Sequence, residues 1–134
     1  AEMMIEDAIR IACEAHRGQV DKAGEPYILH VLRVAIVMPD DLHRRVALWH
    51  DIKEDCLPRH WQESDDAWPY VETLTRRGGE EYATFIARVK LCPVARRVKL
   101  ADLTDNFARC IGKPEFQSLA ERYSKAIEVL EADE

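Results

Sequence analysis

The sequence predicts an all-α protein, a compact helical bundle, on three observations. Apolar residues recur at steps of three and four in one segment after another, which is the spacing of a buried helix face. Glycine and proline separate these segments, and no stretch shows the alternation of apolar and polar residues that is typical of a strand. At 134 residues the chain is long enough to bury its own core. We therefore expect residues 1–134 to form a single domain.

The first two predicted helices lie before Pro39. The first ends ahead of Gly18, a residue suited to the left-handed backbone that follows many helix ends. A loop over residues 18–26 follows, and a second helix is predicted from Ile28 to Met38, where Pro39 stops it. The apolar positions of the first helix are Met4, Ala8, Ile11, Ala12 and Ala15.

The third predicted helix is capped by Asp40 or Asp41, because an aspartate can accept a hydrogen bond from the free N–H groups of a first turn. Its apolar stripe consists of Leu42, Val46 and Trp49, and Pro58 is the last position at which it can end. The polar and aromatic stretch 59–68 has no clear period and is predicted as a surface loop beside a cleft.

The second half of the chain is predicted to be helical as well. A Gly78-Gly79 break separates the first of its helices from the others. The predicted segments are a helix near Pro69 to Arg76, one carrying Tyr82 to Val89, one that opens near Pro93, and a last one from Phe116 to Leu130.

Charge and composition exclude several classes of function. The net charge of −6 argues against a general nucleic-acid binder or a binder of acidic membranes, since phosphate groups attract basic surfaces. No apolar stretch approaches the roughly 18 to 20 residues that a membrane span requires. The cysteines at 13, 56, 92 and 110 show no metal-finger spacing and no secretory leader precedes them. We expect reduced thiols without disulfides in a cytoplasmic protein; the sequence leaves the oligomeric state open.

The motif HDIKED, residues 50–55, carries the most chemical information. On a continuous helix of about 3.6 residues per turn, His50 and Glu54 share a face, as do Asp51 and Asp55. An imidazole and a carboxylate side by side suit a divalent cation, and the next turn offers carboxylates to an attacking water. An isolated His-Asp pair would be more simply explained as ordinary surface charge.

Two other segments strengthen the metal interpretation. His30 lies on the second predicted helix, and Asp102 lies on the helix after Pro93, with Asn106 one turn further on. Together with His50 and Asp51 they supply two nitrogen and two oxygen ligands, a set that suits Mn, Fe or Zn better than a thiolate-type structural zinc site.

These motifs resemble the RelA/SpoT-type alarmone hydrolase domain of the HD superfamily, and most closely its short stand-alone hydrolases. The matching segments are HRGQ at 16–19, GEPYILH at 24–30, HDIKED at 50–55, and VKLADLTDN at 98–106. The HD pair alone would indicate only the superfamily. The resemblance follows the family's order and extends over about residues 7–130.

The resemblance implies a function and a set of roles. The family removes the 3′-pyrophosphate of guanosine tetra- or pentaphosphate, the nucleotides of the stringent response, and leaves GDP or GTP. His30, His50, Asp51 and Asp102 would hold a single metal ion, usually Mn²⁺ in this family. Glu54 and Asp55 would position or deprotonate the attacking water. Lys22 and Asn106 would contact the nucleotide substrate.

The chain departs from the family at the substrate side. Where the family usually has several basic residues, Val20 and Asp21 precede Lys22, and Leu103 to Asp105 replace a common basic residue and histidine. Loss of a stacking arginine weakens guanine recognition. Two alternatives therefore stay open, an HD-type nucleotidase or pyrophosphohydrolase for another nucleotide and a non-catalytic nucleotide-binding regulatory module.

Three further residues lie near the predicted site in the sequence. His16 is predicted to have a structural role near a helix end. Tyr27 is either a core anchor or a substrate wall, and the role of Lys99 stays open.

Overall fold

The fold is seen in a computed structural model that describes residues 3–133. These residues form eight α-helices and two short 3₁₀ helices, Pro58–His60 and Pro114–Phe116. They contain no strand, and Val20 and Pro26 form an isolated bridge. The all-α prediction is therefore confirmed. The α-helices are α1 (Ile5–Ala15), α2 (Tyr27–Ile36), α3 (Asp41–Trp49), α4 (Ile52–Asp55), α5 (Trp68–Thr73), α6 (Tyr82–Lys90), α7 (Pro93–Cys110) and α8 (Gln117–Glu131).

The long helix α7 organises the bundle. It packs along α8 and also contacts α2, α3, α5 and α6. On the other side of the core, Trp49 of α3 is fully buried, and its indole N–H donates to the carbonyl of Ala8 on α1 at 3.2 Å. Because α2, α3 and α7 meet one another in the interior, polar residues on their facing sides come together in a buried space.

The predicted boundaries of the first helices are close to those observed. Gly18 follows α1 with a φ of 81°, the left-handed backbone expected for a glycine after a helix end. The second helix ends at Ile36, two residues earlier than predicted. Met38 precedes Pro39, whose ring disfavours helical backbone at the residue before it, and the Met38 side chain turns into the core instead.

The third predicted helix is correctly capped but is not continuous. The Asp40 carboxylate accepts the N–H of His43 at 2.9 Å. The helix then stops at Trp49, and α4 begins only at Ile52. The His50 imidazole donates through Nδ1 to the Ala47 carbonyl at 2.6 Å. A continuing helix would use that carbonyl for the N–H of Asp51, so the side chain competes with the backbone at this point.

Residues 59–68 are largely a loop, as predicted, since residues 61–67 belong to no helix. Their first part belongs to a 3₁₀ turn, and Trp68 begins α5 with only 2% of its surface exposed. Trp61 packs against Trp68 with ring centroids 6.1 Å apart. The contact between the two indoles thus anchors the end of this loop to the core.

Within residues 3–133, no helix is both long and apolar enough to cross a membrane. All four cysteines are free thiols, of which Cys110 is buried and Cys13 is exposed.

Candidate metal centre

The four predicted metal ligands lie together in the interior of the bundle. His30 comes from α2, His50 and Asp51 from the interruption between α3 and α4, and Asp102 from α7. One ligand atom from each side chain lies within 4.8 Å of the others. His30, His50 and Asp102 are buried and Asp51 is half-buried. The residues are brought together as the sequence suggested, and their binding of a metal stays a prediction.

One carboxylate oxygen stands at the centre of this cluster. Asp102 Oδ1 lies 2.8 Å from His30 Nε2 and 3.3 Å from His50 Nε2. His50 Nε2 is also 3.1 Å from Asp51 Oδ2. Two imidazole nitrogens and two carboxylates thus point at one small volume. Because carboxylate oxygens repel one another at this range, a proton or a cation is needed between them.

The other nitrogen of each imidazole is held by an acceptor. His50 Nδ1 is bound to the Ala47 carbonyl, and His30 Nδ1 lies 2.6 Å from Asp105 Oδ2. A carbonyl and an ionised carboxylate only accept, so Nδ1 carries the proton in both rings and Nε2 faces the cluster. Metal-binding histidines typically have this arrangement. The donor set therefore fits a divalent cation such as Mn²⁺, Fe²⁺ or Zn²⁺.

The charges of the cluster stabilise one another strongly. Burial acts to lower the pKa of His50, but the carboxylates of Asp51 and Asp102 outweigh it and raise that pKa well above its ordinary value. Burial acts to raise the pKa of Asp102, but Lys99 and His50 hold it well below its ordinary value. Lys99 Nζ lies 3.0 Å from Asp102 Oδ2. The sequence left the role of this lysine open, and the structure shows it in direct contact with a predicted ligand.

Tyr27 is an unexpected partner of the cluster. Its hydroxyl donates to Asp51 Oδ2. Burial, and then the negative charge of Asp51, raise the pKa of Tyr27 far above its usual range, so the phenol stays protonated and keeps donating. The side chain therefore orients a predicted ligand, a role that neither of the two sequence interpretations, core anchor or substrate wall, included.

The two predicted catalytic acids lie beside the cluster and outside it. Glu54 and Asp55 are exposed on the short helix α4 and line a cleft of about 480 Å³ that also contains Arg59 and His60. Burial, and then the charge of Asp51, raise the pKa of each acid. The continuous helix assumed for residues 50–55 is interrupted, because α3 ends at Trp49 and α4 begins at Ile52. Asp51 is nevertheless the N-cap of α4, and its carbonyl accepts the N–H of Asp55 at 2.9 Å, one turn further on.

The two predicted substrate contacts line a different cavity, of about 230 Å³. Lys22 is exposed at its edge, and Tyr27 forms part of its wall. Asn106 is engaged within the protein: its amide donates to Asp102 Oδ1 at 3.3 Å, and its carbonyl oxygen accepts from Arg109 Nη2. Their contact with a substrate stays a prediction.

Two charged residues of this region were not singled out from the sequence. Arg109 lines the same cavity and forms an ion pair with Asp21, whose other carboxylate oxygen accepts the N–H groups of Ala23 and Glu25. Arg109 lies three residues after Asn106, so the helical spacing on α7 could have identified it.

His16 is buried at the end of α1, as a structural role requires. Its Nδ1 donates to Gln19 Oε1 at 2.7 Å, and Gln19 in turn donates to the Asp55 carbonyl at 3.3 Å. This chain of contacts connects the loop after α1 to the end of α4.

Comparison with known proteins gives one partial similarity. No family model matches the chain. A 50-residue stretch is 44% identical to a protein named guanosine-3′,5′-bis(diphosphate) 3′-pyrophosphohydrolase from Vibrio cholerae serotype O1 (strain ATCC 39315 / El Tor Inaba N16961). The match covers 34% of this chain and 7% of that protein, so the chain corresponds to a small part of the relative's length. Together with the all-α fold, this similarity supports a relationship to HD-type hydrolases.

Proposed function

We propose that this chain is a metal-dependent phosphohydrolase that removes the 3′-pyrophosphate of guanosine tetra- or pentaphosphate. The observation that carries the proposal is the convergence of His30, His50, Asp51 and Asp102 from separate parts of the chain on one buried volume. A pair of acids lies directly beside them. The partial similarity to a pyrophosphohydrolase agrees with this chemistry.

The cluster is suited to one divalent ion, with Mn²⁺ the best candidate. His30 and His50 would each bind through Nε2, and Asp51 and Asp102 would each bind through carboxylate oxygen. A bound divalent ion lowers the pKa of water towards about 7 and offsets the negative charge of phosphoryl oxygens. Lys99 and Tyr27 hold Asp102 and Asp51 in place, so the ligands are preorganised by contacts outside the donor set.

Glu54 and Asp55 are the residues that move protons in the proposed reaction. Water attacks the phosphorus bound to the ribose 3′-oxygen, a new P–O bond forms, and the bond to the 3′-oxygen breaks. One acid takes the proton of the water, and the departing 3′-oxygen receives a proton, which leaves a free hydroxyl and pyrophosphate. The raised pKa of both acids favours this exchange, because a carboxyl whose pKa lies closer to neutrality gives and takes protons more readily.

The cavity lined by Lys22, Asn106 and Arg109 supports a nucleotide as the substrate. It shares Tyr27 with the metal cluster, so a ligand in the cavity lies next to the proposed reaction centre. Lys22 is free to meet a phosphate, and Tyr123 contributes an aromatic ring to the wall.

A second candidate is hydrolysis of another nucleotide by the same chemistry. The observation in its favour is the ion pair between Arg109 and Asp21, whose side chain is only 6% exposed. This pair neutralises the arginine within the cavity, where the family that the sequence resembles usually has an excess of basic residues. With Arg109 paired, the positive charge of the wall comes from Lys22, which gives less attraction for a highly charged guanosine tetraphosphate than a basic cluster would.

The decisive experiment incubates Mn²⁺-loaded protein with guanosine tetraphosphate, guanosine pentaphosphate and a panel of other nucleotides. Products are separated by anion-exchange chromatography, with His50→Ala as the matched negative control. The first candidate requires GDP or GTP and equimolar pyrophosphate from the guanosine substrates. Turnover of another nucleotide alone would favour the second candidate. Binding of nucleotide without any turnover would support a non-catalytic module and refute both.

A further inference from the structure

Asp105 links the α7 helix to His30 at a position for which no role has been assigned. It lies three residues after Asp102, on the same side of α7. Its Oδ2 is 2.6 Å from His30 Nδ1, while Asp102 Oδ1 is 2.8 Å from His30 Nε2. The fully buried imidazole of His30 is thus held between two carboxylates of the same helix.

The chemistry of the contact determines which nitrogen of His30 carries the proton. An ionised carboxylate can only accept, so Asp105 requires a proton on Nδ1. Arg109 Nη2 lies 3.2 Å from the same nitrogen and, as a donor, would favour an unprotonated Nδ1, but the contact with Asp105 is much shorter at 2.6 Å and therefore decides the position of the proton. Asp102 makes the same demand on Nε2 in the metal-free protein, but an ion bound at the cluster would need the free lone pair on Nε2, and the shorter contact with Asp105 favours that form of the neutral imidazole.

Asp105 is itself held firmly in place. Arg33 donates to it through both Nε and Nη2, at 2.8 and 3.1 Å to the two carboxylate oxygens. The Arg109 guanidinium also contacts this carboxylate, with Nε 3.2 Å from Asp105 Oδ2. The Asp105 side chain is only 17% exposed, whereas that of Arg33 is 45% exposed. A bidentate guanidinium contact fixes both the position and the charge of the carboxylate.

We propose that Asp105 is a positioning residue that keeps His30 in the Nδ1–H form and aims its Nε2 at the metal centre. The inference rests on the proposed metal site, because the orientation of Nε2 matters for function only if a metal ion binds there. The tautomer of the imidazole can nevertheless be measured without any metal. Removal of such a partner from a metal-binding histidine typically weakens metal affinity by about 10- to 100-fold.

The test compares Asp105→Ala with Arg33→Gln in two measurements. The first is the tautomer of His30, read at pH 8 in metal-free, ¹⁵N-histidine-labelled protein by long-range ¹H–¹⁵N NMR, with the resonance assigned through His30→Gln. The second is Mn²⁺ affinity by competition with a chelating indicator.

Asp105→Ala should raise the Nε2–H fraction and weaken Mn²⁺ binding by about 10- to 100-fold. Arg33→Gln removes an ion pair of Asp105 but keeps the acceptor, so it should retain the parental tautomer.

The two measurements separate failure of this inference from failure of the metal site. If the parent binds no Mn²⁺ but Asp105→Ala changes the His30 tautomer, the proposed metal function fails and the positioning contact stands. If Asp105→Ala keeps both the parental tautomer and the parental affinity, the proposal is overturned. Should that variant not fold, Asp105→Asn must shift the His30 resonances towards the Nε2–H form more than Arg33→Gln does, and an equal or smaller shift would overturn it as well.

Discussion

Replacement of both acids of α4, Glu54→Gln with Asp55→Asn, should remove most turnover and leave the metal bound. Neither acid belongs to the four-ligand cluster, and both line the adjacent cleft. The buried residue of this short helix is Ile52, which the double variant leaves in place. Loss of rate without loss of metal would therefore separate proton transfer from metal binding.

The expected magnitude follows from the role and surroundings of the acids. General acid–base catalysis contributes typically about 10² to 10⁴ in rate. At about 1.36 kcal/mol for each factor of ten, that corresponds to about 2.7 to 5.4 kcal/mol of transition-state stabilisation. The double variant should keep the stability of the fold. The raised pKa of each acid means that the folded protein disfavours its charged carboxylate, and the amides that replace the acids are neutral.

The assay measures bound Mn²⁺ by elemental analysis and kcat on the best nucleotide of the panel. Glu63→Gln is the matched control, since it makes the same chemical change at an exposed position away from both cavities. It should retain parental metal content and kcat. His50→Ala should lose both metal and activity, because it removes a ligand.

Two results would refute the reasoning. If the double variant hydrolyses the nucleotide at the parental rate, the acids have no catalytic role and the proton path must be abandoned. If it loses its metal while Glu63→Gln does not, the acids belong to the ligand set, and the separation of roles inferred from the geometry is wrong.

Three further predictions concern the stability of the fold. Leu130→Ala should lower the free energy of unfolding in urea by about 2–5 kcal/mol, because the side chain is fully buried, and should leave Mn²⁺ affinity unchanged. Asp40→Ala removes the cap of α3 and should lower the same free energy by about 0.5–2 kcal/mol. The hydrogen bond from Arg88 lowers the pKa of Glu80 from 4.5 to about 2, so its contribution to stability is complete above pH 4.5 and is lost as the pH falls towards 2. The Tm difference between the parent and Glu80→Gln should therefore close over that interval in a thermal melt.

The sequence was most informative where local rules act alone. The cap at Asp40 and the left-handed Gly18 were both predicted correctly, because each depends on one residue and its immediate backbone. For residues 59–68 the loop was predicted correctly but the buried Trp68 at its end was not, since the packing of Trp61 against Trp68 depends on tertiary structure. Hydrophobic periodicity does not show that two tryptophans in a polar stretch will pack against each other.

The same division applies to the candidate site. The ligand types and their order along the chain could be extracted from the sequence, and the structure places those four side chains together. The contacts that orient them could not, because they join distant positions: Tyr27 to Asp51, and Asp105 to His30 across 75 residues of chain. The three-residue spacing of Asp105 from the predicted ligand Asp102 was the signal available, but spacing alone does not show that Asp105 contacts His30.

The interruption after Trp49 explains how adjacent residues can serve one centre. On a continuous helix, neighbouring side chains project about 100° apart, so His50 and Asp51 would point in different directions. At the break, Asp51 has a φ of −104° and a ψ of 0°, and its carboxylate comes within 3.1 Å of His50 Nε2. The bond from His50 Nδ1 to Ala47 both occupies the carbonyl that helix continuation needs and turns Nε2 towards Asp102. The hydrogen bond that orients the imidazole thus lies at the point where the helix ends, which makes the irregular backbone part of the site itself.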